Sequence, residues 1–465
     1  MIVWLNVSNK HRIYRIRETK PSMSNIALVV LDTLRKDAFD MHFDWLPGRK
    51  FENAFSTANW TSPANGSMFT GEYPSEIGVH AKSPSLDVDG NVLPEQLQKG
   101  GYRTRCWTAN PNISPNRQWD RGFNEFIGAS KLMTGDEDIV DWSKFSYSDN
   151  KLTTRVGKYW SALSKCYHSE YDTWQSLWNG IAYARGGTEA INNVPDSGAS
   201  VIEDLVSQRS FGTDEFLYLN LMEAHTPYYT PIGFDGPNPD DKITVTIKDS
   251  LGIDSPRDGT VQAYYDTCKY LSTVYREIFK ELSSSFDYVI TVADHGEMLG
   301  ESDVWNHTYG LFPEITHVPL VISGKDLTGR TDAMVSHLDI YQTVLAMADI
   351  NGQSRGRNLL ELGEGKPVLT EYHGLIPVAV QRLEKENISQ KLIDTYDLRL
   401  SGIGVPPRYY GHETIDGYSG EGKPVQSPKD VLAEIKKSIS ERKITENDHE
   451  MSEEVVDRLD DLGYV

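Results

Sequence analysis

Short apolar runs recur along the chain and alternate with stretches that have helical spacing. Four runs are almost wholly apolar and occupy residues 26–31, 216–221, 288–292 and 318–322. A run of this kind predicts a strand that is buried on both faces of a sheet. A fifth strand is predicted at residues 102–108, and helices are predicted at residues 91–99, 261–283 and 339–348. This alternation is typical of an α/β fold with a mostly parallel central sheet and helices on both faces.

Acidic residues follow three of the predicted strands. Asp32 comes directly after the first, and Glu223 and Asp294 each come two residues after a later strand. In such sheets, functional side chains gather at the carboxyl ends of the strands. Carboxylates are oxygen ligands for divalent cations, and His295 offers a nitrogen ligand beside Asp294. Asp32, Asp294 and His295 are therefore candidate metal ligands. For Glu223 the sequence does not distinguish between a metal ligand and a surface acid without a function.

Thr61 lies just ahead of a helix predicted at residues 63–69. A threonine in this position is either the cap of the helix or a hydroxyl that is available for chemistry, and Ser62 can serve as the cap instead. A hydroxyl beside a divalent cation can act as a nucleophile, because the cation lowers its pKa. The start of a helix also directs backbone N–H groups toward an anion. We therefore interpret Thr61 as a candidate nucleophile.

The segment at residues 60–71 resembles the signature of the sulfatase branch of the alkaline phosphatase superfamily. That signature reads Cys/Ser-x-Pro-Ser/Ala-Arg, four further residues and Thr-Gly, and this chain has its Pro-Ala and Thr-Gly pairs at the matching positions. Thr61 takes the place of the cysteine that sulfatases oxidise to formylglycine. Asn65 takes the place of the arginine. The match predicts the fold. The two residues that differ from the signature, Thr61 and Asn65, call a sulfate ester as the substrate into question.

Other motifs follow in the order that the family shows. They are Asp32 at a strand end, His225 in a His-x-Pro-Tyr element, Asp294 in Asp-His-Gly-Glu, and a Val-Pro-Leu segment at residues 318–320. The resemblance spans residues 25–350. It implies an alkaline-phosphatase-like α/β fold with a smaller C-terminal subdomain.

The resemblance also implies a metal centre. One divalent ion, either Mn, Zn, Mg or Ca, is expected, with Asp32, Thr61, Asp294 and His295 as its ligands. Mixed oxygen and nitrogen ligands favour Mn, Zn or Mg over an all-oxygen Ca site. His373 is a weak candidate for a second ion, because the two-metal relatives use a late histidine, but the remainder of a second site is absent from the sequence.

The roles of the remaining residues follow from the same resemblance. Thr61 is the expected nucleophile, and His225 is expected to hold the substrate oxyanion. His307 falls where relatives place a residue that contacts the transferred group or protonates the leaving oxygen. Asn65 and Asn110 are expected to contact the substrate. Structural support is the expected role of His317, which precedes the last strand.

The function implied is that of a metal-dependent ester hydrolase. A phosphoester, and in particular a diester, is favoured over a sulfate ester, because relatives with threonine as the nucleophile act on phosphodiesters or transfer phosphoglycerol-type groups. A true sulfuric ester hydrolase is the first alternative. A phosphoglycerol-type head-group transferase and a catalytically silent binding protein are the others.

Composition narrows the partners and the location. The formal net charge is −21, with 67 acidic against 46 basic residues, which argues against nucleic-acid binding. The three cysteines, Cys106, Cys166 and Cys268, have the spacing of neither a disulfide framework nor a zinc motif. No apolar run reaches the ~20 residues that a membrane helix needs. We therefore expect no integral membrane segment. The apolar stretch at residues 1–7 is too short for an export signal, so a cytoplasmic location is expected. The resemblance implies a small-molecule, glycan or lipid-head ester as substrate.

The sequence also predicts a division into regions. Residues 1–22 fit no element of the fold and are interpreted as an extension, with Met23 as a candidate native start. Residues 23–350 form the predicted catalytic domain, which contains an aromatic-rich insertion at residues 129–210. Residues 351–465 form the predicted C-terminal subdomain and acidic tail.

Overall fold

The computed structural model describes residues 23–134, 194–361 and 363–443 of the 465-residue chain. The strands are β1 (Ile26–Leu31), β2 (Arg49–Phe55), β3 (Arg103–Thr108), β4 (Glu125–Ile127), β5 (Glu215–Leu221), β6 (Tyr288–Val292), β7 (Met298–Leu299), β8 (Trp305–Asn306), β9 (His317–Val318), β10 (Leu320–Gly324), β11 (Gly329–Ser336), β12 (Val368–His373), β13 (Arg399–Val405), β14 (Tyr409–Thr414) and β15 (Gly417–Glu421). The helices are α1 (Lys36–His42), α2 (Thr61–Thr70), α3 (Pro74–Ile77), α4 (Leu93–Gly100), α5 (Ala129–Thr134), α6 (Ala199–Gln208), α7 (Ile247–Ser250), α8 (Thr260–Ser285), α9 (Pro313–Thr316), α10 (His337–Met347), α11 (Pro377–Lys385), α12 (Gln390–Tyr396) and α13 (Pro428–Ser438).

Nine of the described strands form the central sheet. Eight of them lie in the order β11-β2-β10-β6-β1-β5-β3-β4, and β9 pairs with β2. β1 runs parallel to its neighbours β5 and β6, and β3 runs parallel to β4 and β5. Every residue of β1 and β5 is buried, as unbroken apolar runs predict. The prediction of an α/β fold with a mostly parallel central sheet is confirmed.

The strand predicted at residues 318–322 is interrupted, and this prediction is corrected. Pro319 separates β9, which pairs with β2, from β10, which runs antiparallel to β6. Proline has no N–H group to donate to a neighbouring strand, so one continuous central strand across this position is disfavoured. No long helix lies between residues 293 and 319, all of which the structure describes. β10 therefore returns antiparallel to β6 rather than through a crossover.

A separate antiparallel sheet follows the central one. Its strands lie in the order β12-β13-β14-β15. β12 contacts the main body through Glu371, whose N–H donates to the carbonyl of Thr57 at 2.9 Å. The carboxylate of Glu371 accepts the N–H of Ser75 at 3.0 Å. The smaller C-terminal subdomain is predicted in this region, and its boundary at residue 351 stays a prediction.

Several predictions concern residues outside the described ranges. They are the extension at residues 1–22, the central part of the aromatic-rich insertion with Trp142, Trp160, Trp174 and Trp178, and the acidic tail after residue 443. Only the two ends of the insertion are described, and they contain α5 and α6. Among the helices of the described residues, none combines the length and the apolar character needed to span a bilayer.

Candidate active site

Asp32 stands at the carboxyl end of β1, inside the central sheet. Its N–H donates to the carbonyl of Leu221 at the end of β5, at 2.9 Å, so strand pairing continues up to this residue. Thr33 then adopts a positive φ of 63°, and its N–H donates to Oδ1 of Asp294 at 3.2 Å. Because β1 and β6 are parallel neighbours, their carboxyl ends meet, and Asp294 lies next to Asp32.

Thr61 is the first residue of α2, and Trp60 occupies the cap position. The alternative that Thr61 or Ser62 is the helix cap is therefore wrong, because the helix begins two residues before the predicted start. The Oγ1 atom of Thr61 lies 3.5 Å from Oδ2 of Asp32. The structure thus brings the Thr61 hydroxyl to the end of β1.

Asp294 and His295 follow β6 and form a group of possible metal ligands with Asp32. Nε2 of His295 lies 3.7 Å from Oδ2 of Asp294 and 3.9 Å from Oδ1 of Asp32. One ligand atom from each of the three residues lies within 4.8 Å of the other two. The next residue, Gly296, approaches the carbonyl oxygen of Glu314 so closely that a Cβ atom would lie 2.1 Å from it. A larger residue at this position would displace the loop that carries the ligands.

The environment of His295 fits a bound cation. Its Nδ1 lies 2.9 Å from the carbonyl of Gly296, which fixes the ring and leaves Nε2 beside the carboxylates. Nε2 is buried and, within the described residues, has no hydrogen-bond partner. An unpartnered buried polar atom is unfavourable, and a metal–nitrogen bond would satisfy it. Burial lowers the pKa of His295 to about 4, so the neutral ring has a lone pair to offer.

Two buried carboxylates share this site. Burial and the charge of Asp32 raise the pKa of Asp294 well above its ordinary value. Burial acts in the same direction on Asp32, but the rings of His295 and His225 and two asparagine amides outweigh it and lower the pKa of Asp32. A divalent cation would offset the repulsion between the carboxylates and keep both ionised. Two carboxylates, an imidazole and the Thr61 hydroxyl are a donor set that suits Mn, Zn or Mg.

Two asparagine side chains hold the Asp32 carboxylate. Nδ2 of Asn110 donates to Oδ2 of Asp32 at 2.7 Å and lies 3.1 Å from Oγ1 of Thr61. Nδ2 of Asn220 donates to the same carboxylate oxygen at 3.1 Å. Asn110 therefore contacts both the candidate nucleophile and a candidate metal ligand.

Asn65, one turn along α2, is held by groups of the protein. Its Nδ2 donates to the carbonyl of Thr61 at 3.0 Å and lies 3.5 Å from Oδ2 of Asp294. Its Oδ1 accepts the hydroxyl of Tyr218 at 2.8 Å. These contacts orient the start of α2, and the role of Asn65 as a substrate ligand stays a prediction.

His225 and His307 complete the cluster. The ring of His307 lies 4.2 Å from that of His295 and 5.1 Å from that of His225, measured between centroids. Burial lowers the pKa of His225, and burial with the neighbouring His295 lowers the pKa of His307 well below its ordinary value. All eight side chains named as site residues from the sequence are therefore brought together in the structure.

Comparison with known proteins identifies the family. A family profile described as Sulfatase matches residues 25–350. The chain belongs to the sulfatase family. The uncharacterised sulfatase YidJ of Escherichia coli (strain K12) is 34% identical to it over 365 residues, which cover 70% of this chain and 66% of YidJ. The chain thus spans just under two thirds of the length of that relative.

Solved structures show the same fold as this chain. The phosphonate monoester hydrolase of Agrobacterium radiobacter superposes with a TM-score of 0.55 at 16% identity, covering 90% of this chain and 91% of that chain. The phosphonate monoester hydrolase SpPMH of Silicibacter pomeroyi superposes with a TM-score of 0.57 at 15% identity, covering 89% of this chain and 94% of that chain. At these identities the likeness shows the alkaline-phosphatase-like fold.

Three other residues singled out in the sequence lie apart from the possible metal ligands. Nε2 of His317 lies 2.8 Å from a backbone carbonyl, which agrees with structural support. The ring of His373 lies 4.8 Å from that of His80. Glu223 accepts the N–H of Ala199 at 2.9 Å. Within the described residues, neither His373 nor Glu223 belongs to the group of Asp32, Asp294 and His295.

Sequence reasoning missed two residues that contact the site. Asn220 is the one amide residue in the apolar run at residues 216–221 of β5, and that exception is a signal for a buried functional amide. Glu297 ends the Asp-His-Gly-Glu motif, and its Oε1 lies 3.0 Å from Nδ1 of His307. The motif identified Glu297 as a position of interest, but no pattern in the sequence indicated its partner.

Proposed function

We propose that this protein is a metal-dependent hydrolase of phosphate or sulfate esters, with Thr61 as the nucleophile. The observation that carries the proposal is the convergence of Thr61, Asp32, Asp294 and His295 from three distant segments of the chain. Membership in the sulfatase family supports an ester hydrolase. The fit of His295 to a cation supports the metal requirement.

Each residue has a part in the proposed reaction. When bound, the divalent cation would supply positive charge that lowers the pKa of the Thr61 hydroxyl and offsets the negative charge of the transferred group. Oγ1 of Thr61 forms a bond to phosphorus or sulfur, while the bond to the leaving oxygen breaks with its electron pair. The proton that Thr61 releases passes to Nε2 of His307, which gives it to that oxygen. His225 and Asn110 donate to the charge that develops on the transferred group. In the second step a water molecule forms a bond to the transferred group, the bond between that group and Oγ1 of Thr61 breaks, and the proton lost by the water returns to Thr61 through His307.

The charge of the site favours an ester with a single negative charge. Among the described residues, the side chains that hydrogen-bond to Thr61 and to the two carboxylates are amides and hydroxyls, with no lysine or arginine. One divalent cation balances Asp32 and Asp294, so little positive charge remains for a phosphate monoester dianion. A phosphodiester or a phosphonate monoester fits this balance, and the phosphonate monoester hydrolases among the structural neighbours support it.

A sulfate ester has the same charge and is the second candidate function. The family membership and the relative YidJ favour it. The departure at Thr61 favours the phosphodiester, because formylglycine hydrate can eliminate sulfate whereas a threonyl sulfate has to be hydrolysed. A small-molecule, glycan or lipid-head ester as substrate and a cytoplasmic location stay predictions.

A panel of aryl esters tests the proposal. The protein is first freed of metal by a chelator and is then assayed with added Mn, Zn, Mg or Ca. The substrates are four nitrophenyl compounds: a phosphodiester, a phosphonate monoester, a sulfate ester and a phosphate monoester. We expect kcat/KM for the diester or phosphonate to exceed that for the phosphate monoester by at least ~10-fold, which is a difference of ~1.4 kcal/mol in transition-state binding. Highest activity on the sulfate supports the second candidate. Binding without turnover of any ester indicates a silent binding protein and contradicts the proposal.

A further inference from the structure

Glu297 joins three segments of the site through its carboxylate. Oε1 lies 3.0 Å from Nδ1 of His307, and Oε2 accepts the hydroxyl of Tyr228 at 2.9 Å. All three side chains are fully buried. Tyr228 belongs to the same loop as His225, and Glu297 follows His295 by two residues. One carboxylate thus connects the loop of the metal ligands, the loop of His225 and the ring of His307.

The backbone of Glu297 is fixed as firmly as its side chain. Nη1 of Arg35 donates to the carbonyl of Glu297 at 3.0 Å. The N–H of Gly296 donates to the carbonyl of Ile315 at 2.7 Å. The carboxylate is therefore held from both ends, and the position of its Oε1 atom follows from the fold rather than from a mobile side chain.

We propose that Glu297 is a positioning residue that fixes the orientation and the tautomer of His307. A carboxylate beside Nδ1 accepts the hydrogen of that nitrogen, as the aspartate of a Ser-His-Asp triad does. Nε2 then carries a lone pair, so it is the nitrogen that takes the proton released by Thr61 and gives it to the leaving oxygen. Nδ1 cannot take this part, because it is covered by Glu297. The inference rests on the proposed function, in which His307 protonates the leaving group.

The dependence of turnover on the leaving group tests this role. Glu297→Gln puts an amide at the same position, and an amide offers both a donor and an acceptor, so it does not select one tautomer. A dinitrophenyl leaving group needs little protonation, whereas an unsubstituted phenyl group needs it fully. We expect Glu297→Gln to lower kcat by ~3-fold or less on the dinitrophenyl ester and by ~100-fold on the phenyl ester, within the range of general acid catalysis.

Glu215→Gln is the matched control. Glu215 is also buried, and it pairs with Arg105. It is the first residue of β5, whereas the site lies at the carboxyl end of that strand. The same chemical change there is expected to leave the ratio of the two rates unchanged. An equal fold loss on both esters in Glu297→Gln would mean that Glu297 is only structural and would overturn the proposal.

A spectroscopic measurement does not depend on the stability of the variant. Nitrogen-15 spectra of histidine-labelled wild-type protein, loaded with Zn or Mg, report which ring nitrogen of His307 carries hydrogen. We expect Nδ1 of His307 to be protonated, and an unprotonated Nδ1 overturns the inference. If the wild type hydrolyses no ester, the proposed function fails, and the spectrum still decides whether Glu297 sets the tautomer.

Discussion

The hydroxyl of Thr61 lies 3.5 Å from the carboxylate of Asp32. Thr61 is the first residue of α2 and Asp32 directly follows β1, so a helix start and a strand end meet at this point. Asn110 bridges them, because its Nδ2 group contacts both side chains. The arrangement places a potential nucleophile beside a potential metal ligand, and the predictions below test parts of it.

Asn110 is expected to contribute to turnover. Asn110→Ala removes the donor shared by Asp32 and Thr61, so it should lower kcat/KM by ~10–100-fold, the loss of one or two hydrogen bonds to charged groups. Steady-state kinetics on the best aryl ester measure this effect. Asn124→Ala, at an exposed asparagine between β3 and β4, is the control and should stay within ~2-fold of wild type, as surface changes usually do. Activity of Asn110→Ala equal to that of the control would show that this contact is dispensable.

His295 is expected to be a metal ligand. His295→Gln removes the buried Nε2 atom that has no hydrogen-bond partner within the described residues, so metal affinity should fall by at least ~10-fold, as for loss of groups in a metal site. Titration of the chelator-treated protein with metal, followed by elemental analysis, measures the affinity. His317→Gln changes another histidine, which bonds to a backbone carbonyl, and should retain the wild-type affinity. Unchanged affinity in His295→Gln would remove this residue from the ligand set.

Much of the central sheet could be predicted from local patterns. β1, β5 and β6 are almost wholly apolar runs, and an acid lies within two residues of the carboxyl end of each. The burial and the position of Asp32 and Asp294 follow from that pattern. The direction of β10 could not be predicted, because an apolar run does not encode whether the chain crosses over or turns back. The break at Pro319 is visible in the sequence, because a proline removes one hydrogen-bond donor from a strand.

The candidate site was predicted less completely. The resemblance supplied the residues that touch the metal or the transferred group, since their types and order follow a motif. The contacts of Asn220 and Glu297 depend on which side chains face each other across segments that are far apart in sequence. The periodicity of apolar residues does not show which distant residues are in contact. Asn65 has partners that the motif does not predict. Its place in the motif predicts contact with the substrate, whereas its polar atoms bond to Thr61 and Tyr218.

Glu223 is expected to make stability depend on pH. Burial and the nearby Asp196 carboxylate raise the pKa of Glu223 from 4.5 to about 8. Between these values the folded protein holds a proton that the unfolded chain has released, so the free energy of unfolding falls as pH rises, by at most ~1.4 kcal/mol per pH unit. Glu223→Gln carries no such proton and should lose less stability across this window. Urea unfolding near both ends of the window measures the difference, and equal losses in the two proteins would contradict the assignment.

The hydroxyl of Thr61 is the centre of the account, and Thr61→Val tests it most directly because it removes the hydroxyl and keeps the shape of the side chain. Thr267→Val makes the same change at a buried threonine of α8 and serves as the control. The measurement is kcat/KM on the best aryl ester at saturating metal. We predict a loss of at least ~1,000-fold for Thr61→Val, as for removal of a nucleophile, and less than ~3-fold for the control. Turnover by Thr61→Val within ~10-fold of wild type would show that the ester is cleaved without a threonine nucleophile.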